Sequence, residues 1–127
     1  AHQLDMLTTP YAFDPDQARV LTEAGADIIV AHMGLTTSGS IGAKTALTLD
    51  DCVPRIRDIA DAARKARSDV FVLCHGGPIA MPNDAQYMLD RLPEIDGFYG
   101  ASSMERLPTE IALKKQVEDF VNMSRRL

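Results

Sequence analysis

Apolar residues in this chain gather in short runs that stop at a small or ionisable residue. Asp27–Ala31 runs into His32 and Gly34, Val70–Cys74 into His75-Gly76-Gly77, and Gly97–Tyr99 into Gly100-Ala-Ser-Ser103. Runs this short and this uniformly apolar predict strands buried on both faces, the habit of parallel sheets. A weaker run, Gln3–Thr8, predicts a first strand, with Asp5 inside it.

The segments between the runs carry helical spacing. A helix is expected from Asp14 to Ala24, because Asp14 suits the N-cap, Pro15 the first helical position and Gly25 the stop. Another is expected over Leu49–Ala66, where Val53, Ile56, Ile59, Ala60 and Ala63 recur on one face. Asp50 and Asp51 near its start, and Arg64, Lys65 and Arg67 near its end, complement the helix dipole. Further helices are predicted over Asn83–Leu92 and Pro108–Arg125. Ser102 and Glu105 have the spacing of a capping box, which explains Glu105 more cheaply than a catalytic carboxylate does.

Strands alternating with helices predict α/β architecture with parallel strands and right-handed crossovers. Four such units fit the last four units of a (β/α)8 barrel or a small doubly wound sheet. A full barrel needs ~250 residues against the 127 present. Glycine-rich loops after the last two strands favour the half barrel, since barrels often bind phosphate there. The chain is therefore expected to be one domain, the C-terminal half of a barrel, and a fragment of something larger.

Composition narrows the partners. A net charge of -5 and a pI near 5.0 disfavour nucleic acid and anionic membranes. No apolar stretch approaches the ~20 residues of a membrane span. Cys52 and Cys74 have no metal or disulfide spacing, so they are expected to be reduced thiols of a cytoplasmic protein.

The candidate chemistry lies in the loops after the strands. His75-Gly76-Gly77-Pro78 and Gly100-Ala101-Ser102-Ser103 offer backbone amides with little side-chain bulk, and Ser102 and Ser103 add hydroxyls, so together they suit a phosphate or carboxylate. The plainer reading is that the glycines only make tight turns. The loop from Gly34 to Ala43, with Gly39 and Ser40, is longer than a connection needs and suggests a lid. Gly42-Ala43-Lys44-Thr45 is not a Walker loop. His32 and His75 stand at strand ends facing one site, where each can serve as acid, base or neutral donor. A structural histidine bonded to a loop carbonyl is the alternative. Tyr11, Phe13, Tyr87 and Tyr99 read as packing residues, and His2 as a terminal residue without a role. No metal motif is present.

Several strings together resemble the phosphoenolpyruvate hydrolase-like TIM-barrel family, which also occurs as the C-terminal domain of plant tobamovirus-resistance proteins. They are Leu7-Thr-Thr-Pro-Tyr11, Ala24-Gly-Ala-Asp27, Val30-Ala-His-Met-Gly-Leu-Thr36, Gly39-Ser-Ile-Gly42, Cys74-His-Gly-Gly-Pro-Ile79 and Gly97-Phe-Tyr-Gly-Ala-Ser-Ser-Met-Glu-Arg-Leu-Pro108. The resemblance spans essentially the whole chain. It implies a barrel related to enzymes of phosphoenolpyruvate and 2-oxo acids, labelled as hydrolases or as signal-transduction barrels. It also implies ligand-facing roles for His32, His75, Gly76, Gly77, Ser102 and Ser103, and Mg2+ held by strands outside this chain, with no cofactor held by this chain alone.

The expected partners are a small anionic metabolite and either a second copy or the other half of the barrel. A hydrolase or lyase of the complete barrel leads. A non-catalytic ligand-sensing or interaction domain, and a self-sufficient α/β domain pairing its open edges as a homodimer, are the rivals.

Overall fold

The computed structural model describes residues 1–44 and 47–124. Its sheet has four strands, β1 (Tyr11–Ala12), β2 (Ile28–His32), β3 (Phe71–His75) and β4 (Gly97–Phe98), and four helices, α1 (Pro15–Glu23), α2 (Leu49–Ala66), α3 (Pro82–Leu89) and α4 (Arg106–Val121). Every neighbouring pair of strands is parallel, and the order across the sheet is β1-β2-β3-β4. A doubly wound sheet reverses its order at a switch point. This one advances in a single direction, as consecutive units of a (β/α) barrel do.

Register assigns the two faces. His32 pairs with His75, Val30 with Leu73 and Tyr11 with Val30, while Ala31 pairs with Cys74. Because strand side chains alternate, Ile29, Ala31, Val72 and Cys74 share one face. They form the core with Ala18 of α1 and Ile56, Ile59, Ala60 and Ala63 of α2. Tyr11, Val30, His32, Phe71, Leu73 and His75 occupy the other, inner face. That face is incompletely covered: Phe71 is 58% exposed and Tyr11 41%.

The caps explain why the helices start where they do. The Asp14 carboxylate accepts from Gln17 N at 2.8 Å, and Pro15 follows at the first position. Thr48 and Asp51 cap α2 reciprocally: Asp51 N donates to Thr48 Oγ1 at 3.1 Å and Thr48 N to Asp51 Oδ2 at 2.8 Å. Asp84 does similar work for α3 by accepting from the amides of Ala80 and Met81.

Three expectations require correction. Gln3–Thr8 is not a strand: His2–Leu4 form a 3-10 turn ended by Asp5 at φ 52°, and the first strand is Tyr11–Ala12. The segment is held from the side instead, since Thr8 N and Thr8 Oγ1 both donate to Asp27 Oδ2, at 2.8 and 2.6 Å. His2 has a role, for its ring bonds the Gly25 carbonyl at the end of α1. Ser102 and Glu105 do not make a capping box: Glu105 is the N-cap residue with no side-chain cap bond, and the Ser102 carbonyl accepts from Leu107 N at 2.8 Å. The predicted helix end at Arg125, and Thr45 in the loop, lie outside the described residues.

Cys52 and Cys74 are buried free thiols inside the core. Burial pushes Cys52 up to about 11 and Cys74 up to about 12, so both are packing groups rather than nucleophiles.

Candidate functional site

Parallel βα units place chemistry beyond the carboxyl ends of the strands, and that is where β2 and β3 set their last residues side by side. The His32 and His75 rings meet edge to face with centroids 4.8 Å apart. Both are buried, 9% and 7% exposed. Each has one ring nitrogen committed to backbone. Gly34 N donates to His32 Nδ1 at 3.0 Å, while His75 Nδ1 lies 2.7 Å from the Tyr99 carbonyl oxygen. Neither Nε2 bonds a described residue, yet neither is sealed from solvent as an orphaned buried atom.

Aromatic rings frame the pair. Tyr11 stacks on His75 at 5.2 Å and meets His32 edge-on at 4.6 Å. Phe13 lies 4.7 Å from His32, and Tyr99 5.7 Å from His75. Tyr11, Phe13 and Tyr99, read from sequence as packing residues, thus border the site. The missed signal was β1 itself: with the strand at Tyr11–Ala12, Tyr11 falls on the same face as the two histidines. Tyr87 sits elsewhere, bonding Asp50 of α2 beneath the Arg91 guanidinium.

The two glycines after His75 are needed for close approach of the backbone. Gly76 has φ 77° and Gly77 φ 59°; a Cβ would meet Gly34 O at 2.3 Å and Met33 O at 2.5 Å respectively. The Gly77 amide donates to Gly34 O at 2.7 Å, and Gly77 O accepts from Thr37 N at 3.1 Å. The Gly77 N–H is thus engaged within the turn.

The loop from Gly34 to Ala43 is fastened rather than free. Ala43 N bonds Thr36 O at 3.0 Å within the loop. Arg106 Nη2 donates to Ser38 O at 3.0 Å, and Ser40 N donates to Glu110 Oε2 at 3.0 Å. Arg106 and Glu110 are themselves paired at 2.8 Å, and together with the Ser40 amide this pairing holds the Glu110 carboxyl below its usual range. Gly39 packs on the same helix, where a Cβ would lie 2.7 Å from Leu107 Cδ2. Gly39 and Ser40 thus belong to a clasp on α4, not to the imidazole cluster.

After β4 the amides of Gly100, Ala101, Ser102 and Ser103 donate to no described residue, whereas those of Met104 and Glu105 turn back to Ala101 O. This is a run of unspent donors ahead of a helix. Tyr99 joins it to His75 through the carbonyl bond. Ser103 also lines a 250 Å³ groove with Met81, Ala85, Leu89, Phe98 and Met104.

Among the described residues no three His, Cys, Asp or Glu side chains cluster tightly enough to hold a metal ion. The strand ends carry imidazoles and no carboxylate, a poor match for Mg2+, which prefers oxygen ligands. A depression of 690 Å³ between Leu7, Asp27, Arg67 and Phe71 lies at the opposite, N-terminal end of the strands. That end of such folds serves stability, which leaves the histidine end as the candidate site. No helix among the described residues is long and apolar enough to cross a membrane.

One pH effect follows. Burial, and secondarily the charge of His75, holds His32 below its ordinary 6.5. The unfolded chain then binds more protons between the folded value and 6.5, so stability rises with pH across that window. The contribution is complete above 6.5 and is lost as pH falls through it. Urea midpoints at pH 7.5 and 5.5 should differ more for the wild type than for His32→Phe; equal differences would exclude His32 as the cause.

The sequence pattern described as phosphoenolpyruvate hydrolase-like matches residues 1–123. The tomato (Solanum lycopersicum) ToMV susceptible protein tm-1(GCR26) and ToMV resistance protein Tm-1(GCR237) are each 58% identical over 124 residues. Those alignments take in 98% of this chain but 16% of each tomato protein, so the chain spans about a sixth of their length. The y4pA protein of Sinorhizobium fredii is 29% identical over 120 residues, 94% of this chain and 20% of its own. A match over nearly every residue, on consecutive parallel βα units, shows that the chain belongs to the phosphoenolpyruvate hydrolase-like family.

Proposed function

We propose that these units are the last four of a (β/α)8 barrel whose strand ends bind a small phosphorylated or carboxylate metabolite, such as phosphoenolpyruvate or a 2-oxo acid. In the complete barrel this site would serve a hydrolase or lyase. The observation that carries the reading is the buried pair His32 and His75, each with Nε2 open to a ligand, next to the unspent amides of residues 100–103. The amides, Ser102 and Ser103 take the anionic group; the imidazoles meet the rest of the molecule. Gly76, where a Cβ would lie 3.3 Å from His32 Cε1, keeps space open beside the ring. The partly bare inner face, with Phe71 and Tyr11, and the exposed Ile111, Val117 and Phe120 of α4 are surfaces that the remaining units would cover. Buried free thiols suit a reducing, cytoplasmic setting.

A second reading, a ligand-sensing domain without turnover, is favoured by the aromatic frame of Tyr11, Phe13 and Tyr99, which suits binding as well as chemistry. Calorimetric titration with phosphoenolpyruvate decides the binding claim. His32→Phe, which removes the ring N–H at Nε2, should weaken binding about 10- to 100-fold, the scale of one hydrogen bond to a charged group. Equal affinity in both proteins, or none in either, would contradict it.

A further inference from the structure

The two imidazoles differ in a way that no motif records. A backbone N–H points at His32 Nδ1, so that atom must present its lone pair and the ring proton sits on Nε2. A carbonyl oxygen faces His75 Nδ1, so that atom must carry the proton and Nε2 presents the lone pair. The backbone therefore fixes opposite tautomers on rings 4.8 Å apart, with neither Nε2 bonded to a described residue and neither sealed.

We infer that His32 and His75 form a donor–acceptor couple for a carbonyl compound with an acidic neighbouring C–H. Resting on the proposed anion site, this names the ligand as a 2-oxo acid. His32 Nε2–H donates to the C2 carbonyl oxygen; His75 Nε2 takes a proton from C3. The C3–H bond breaks, the N–H bond forms on His75, and the electron pair makes the C2–C3 double bond while the C2 oxygen becomes an enolate held by His32. Return of a proton to C3 from His75, after exchange with solvent, closes the cycle with nothing oxidised or reduced. A neutral imidazole is the right donor for such an oxygen, because it keeps its own proton while polarising the carbonyl. Desolvation of His32 and its nearness to His75 both favour that neutral form. Tyr11 and Phe13 pack against His32 and hold its ring.

Two readouts on the whole chain test this. Long-range proton–nitrogen correlation spectra at pH 8, on 15N-labelled protein, report the tautomers directly and need no variant. Proton spectra in D2O then follow loss of the methyl signal of pyruvate. The expected result is Nε2–H on His32, Nδ1–H on His75, and methyl exchange that falls about 100-fold in His75→Gln. His32→Phe, which keeps an aromatic ring in contact with Tyr11, should lose exchange even at pyruvate concentrations that saturate the amide shifts at residues 100–103. The same tautomer on both rings overturns the inference. So does pyruvate that binds, seen as saturable amide shifts at residues 100–103, without exchange above buffer. Absence of any pyruvate or phosphoenolpyruvate binding overturns the anion site, and this couple with it.

Discussion

Gly77→Val is expected to lower the stability of the chain by about 3 kcal/mol. Valine at φ 59° is strained by its branched Cβ, and the new atom would lie 2.5 Å from Met33 O, a backbone atom that cannot rotate away. Relief requires the turn after His75 to separate from the Met33–Gly34 segment, which breaks the 2.7 Å bond from Gly77 N to Gly34 O. His32 is then released, because Gly34 N is what fixes its tautomer. Urea unfolding followed by far-ultraviolet dichroism measures the loss. Gly34→Ala is the control: φ 101° makes it strained, but nothing lies within 4 Å, so its cost should stay near 1–2 kcal/mol. Equal midpoints for Gly77→Val and wild type would mean the turn is not packed as described.

Ile59→Ala should cost about 2–5 kcal/mol, since Ile59 is 1% exposed in the core between α2 and the sheet. Phe71→Ser should cost less than about 1 kcal/mol in this chain, although phenylalanine is the larger side chain. Phe71 lies on the inner face of β3 and already contacts water. Chemical denaturation of the two variants compares the faces of the sheet directly. A larger loss from Phe71→Ser than from Ile59→Ala would show that the inner face carries the core.

Much of this fold is legible in the residues because its signals are local. Asp50, Asp51 and the stripe Val53, Ile56, Ile59, Ala60, Ala63 mark α2 without outside help, and the predicted Leu49–Ala66 is the helix observed. The apolar runs locate β2 and β3 within a residue because their side chains are apolar on both faces, the habit of parallel sheets. The first strand was misplaced for the same reason in reverse. Gln3–Thr8 has a strand-like composition, but its backbone is claimed by the Asp5 turn and its flank by Asp27, a long-range bond that no window displays. At the site, the histidines follow from their place at strand ends. Their opposite tautomers do not, since Gly34 N and Tyr99 O approach the two rings only in the folded chain. Gly39 and Ser40 look like a lid by composition, yet Arg106 and Glu110, some seventy residues on, turn that loop into a clasp.

The central claim is that the carboxyl ends of β2, β3 and β4 form one ligand site. A two-dimensional amide titration with phosphoenolpyruvate tests it most directly. Saturable shifts are expected at Gly76 and at Gly100–Ser103, with changes in the His32 and His75 rings and little at Gly39, Ser40 or the Asp27–Arg67 end. Shifts centred on Asp27, Arg67 and Phe71, or a well-dispersed spectrum that ignores the ligand, would contradict it.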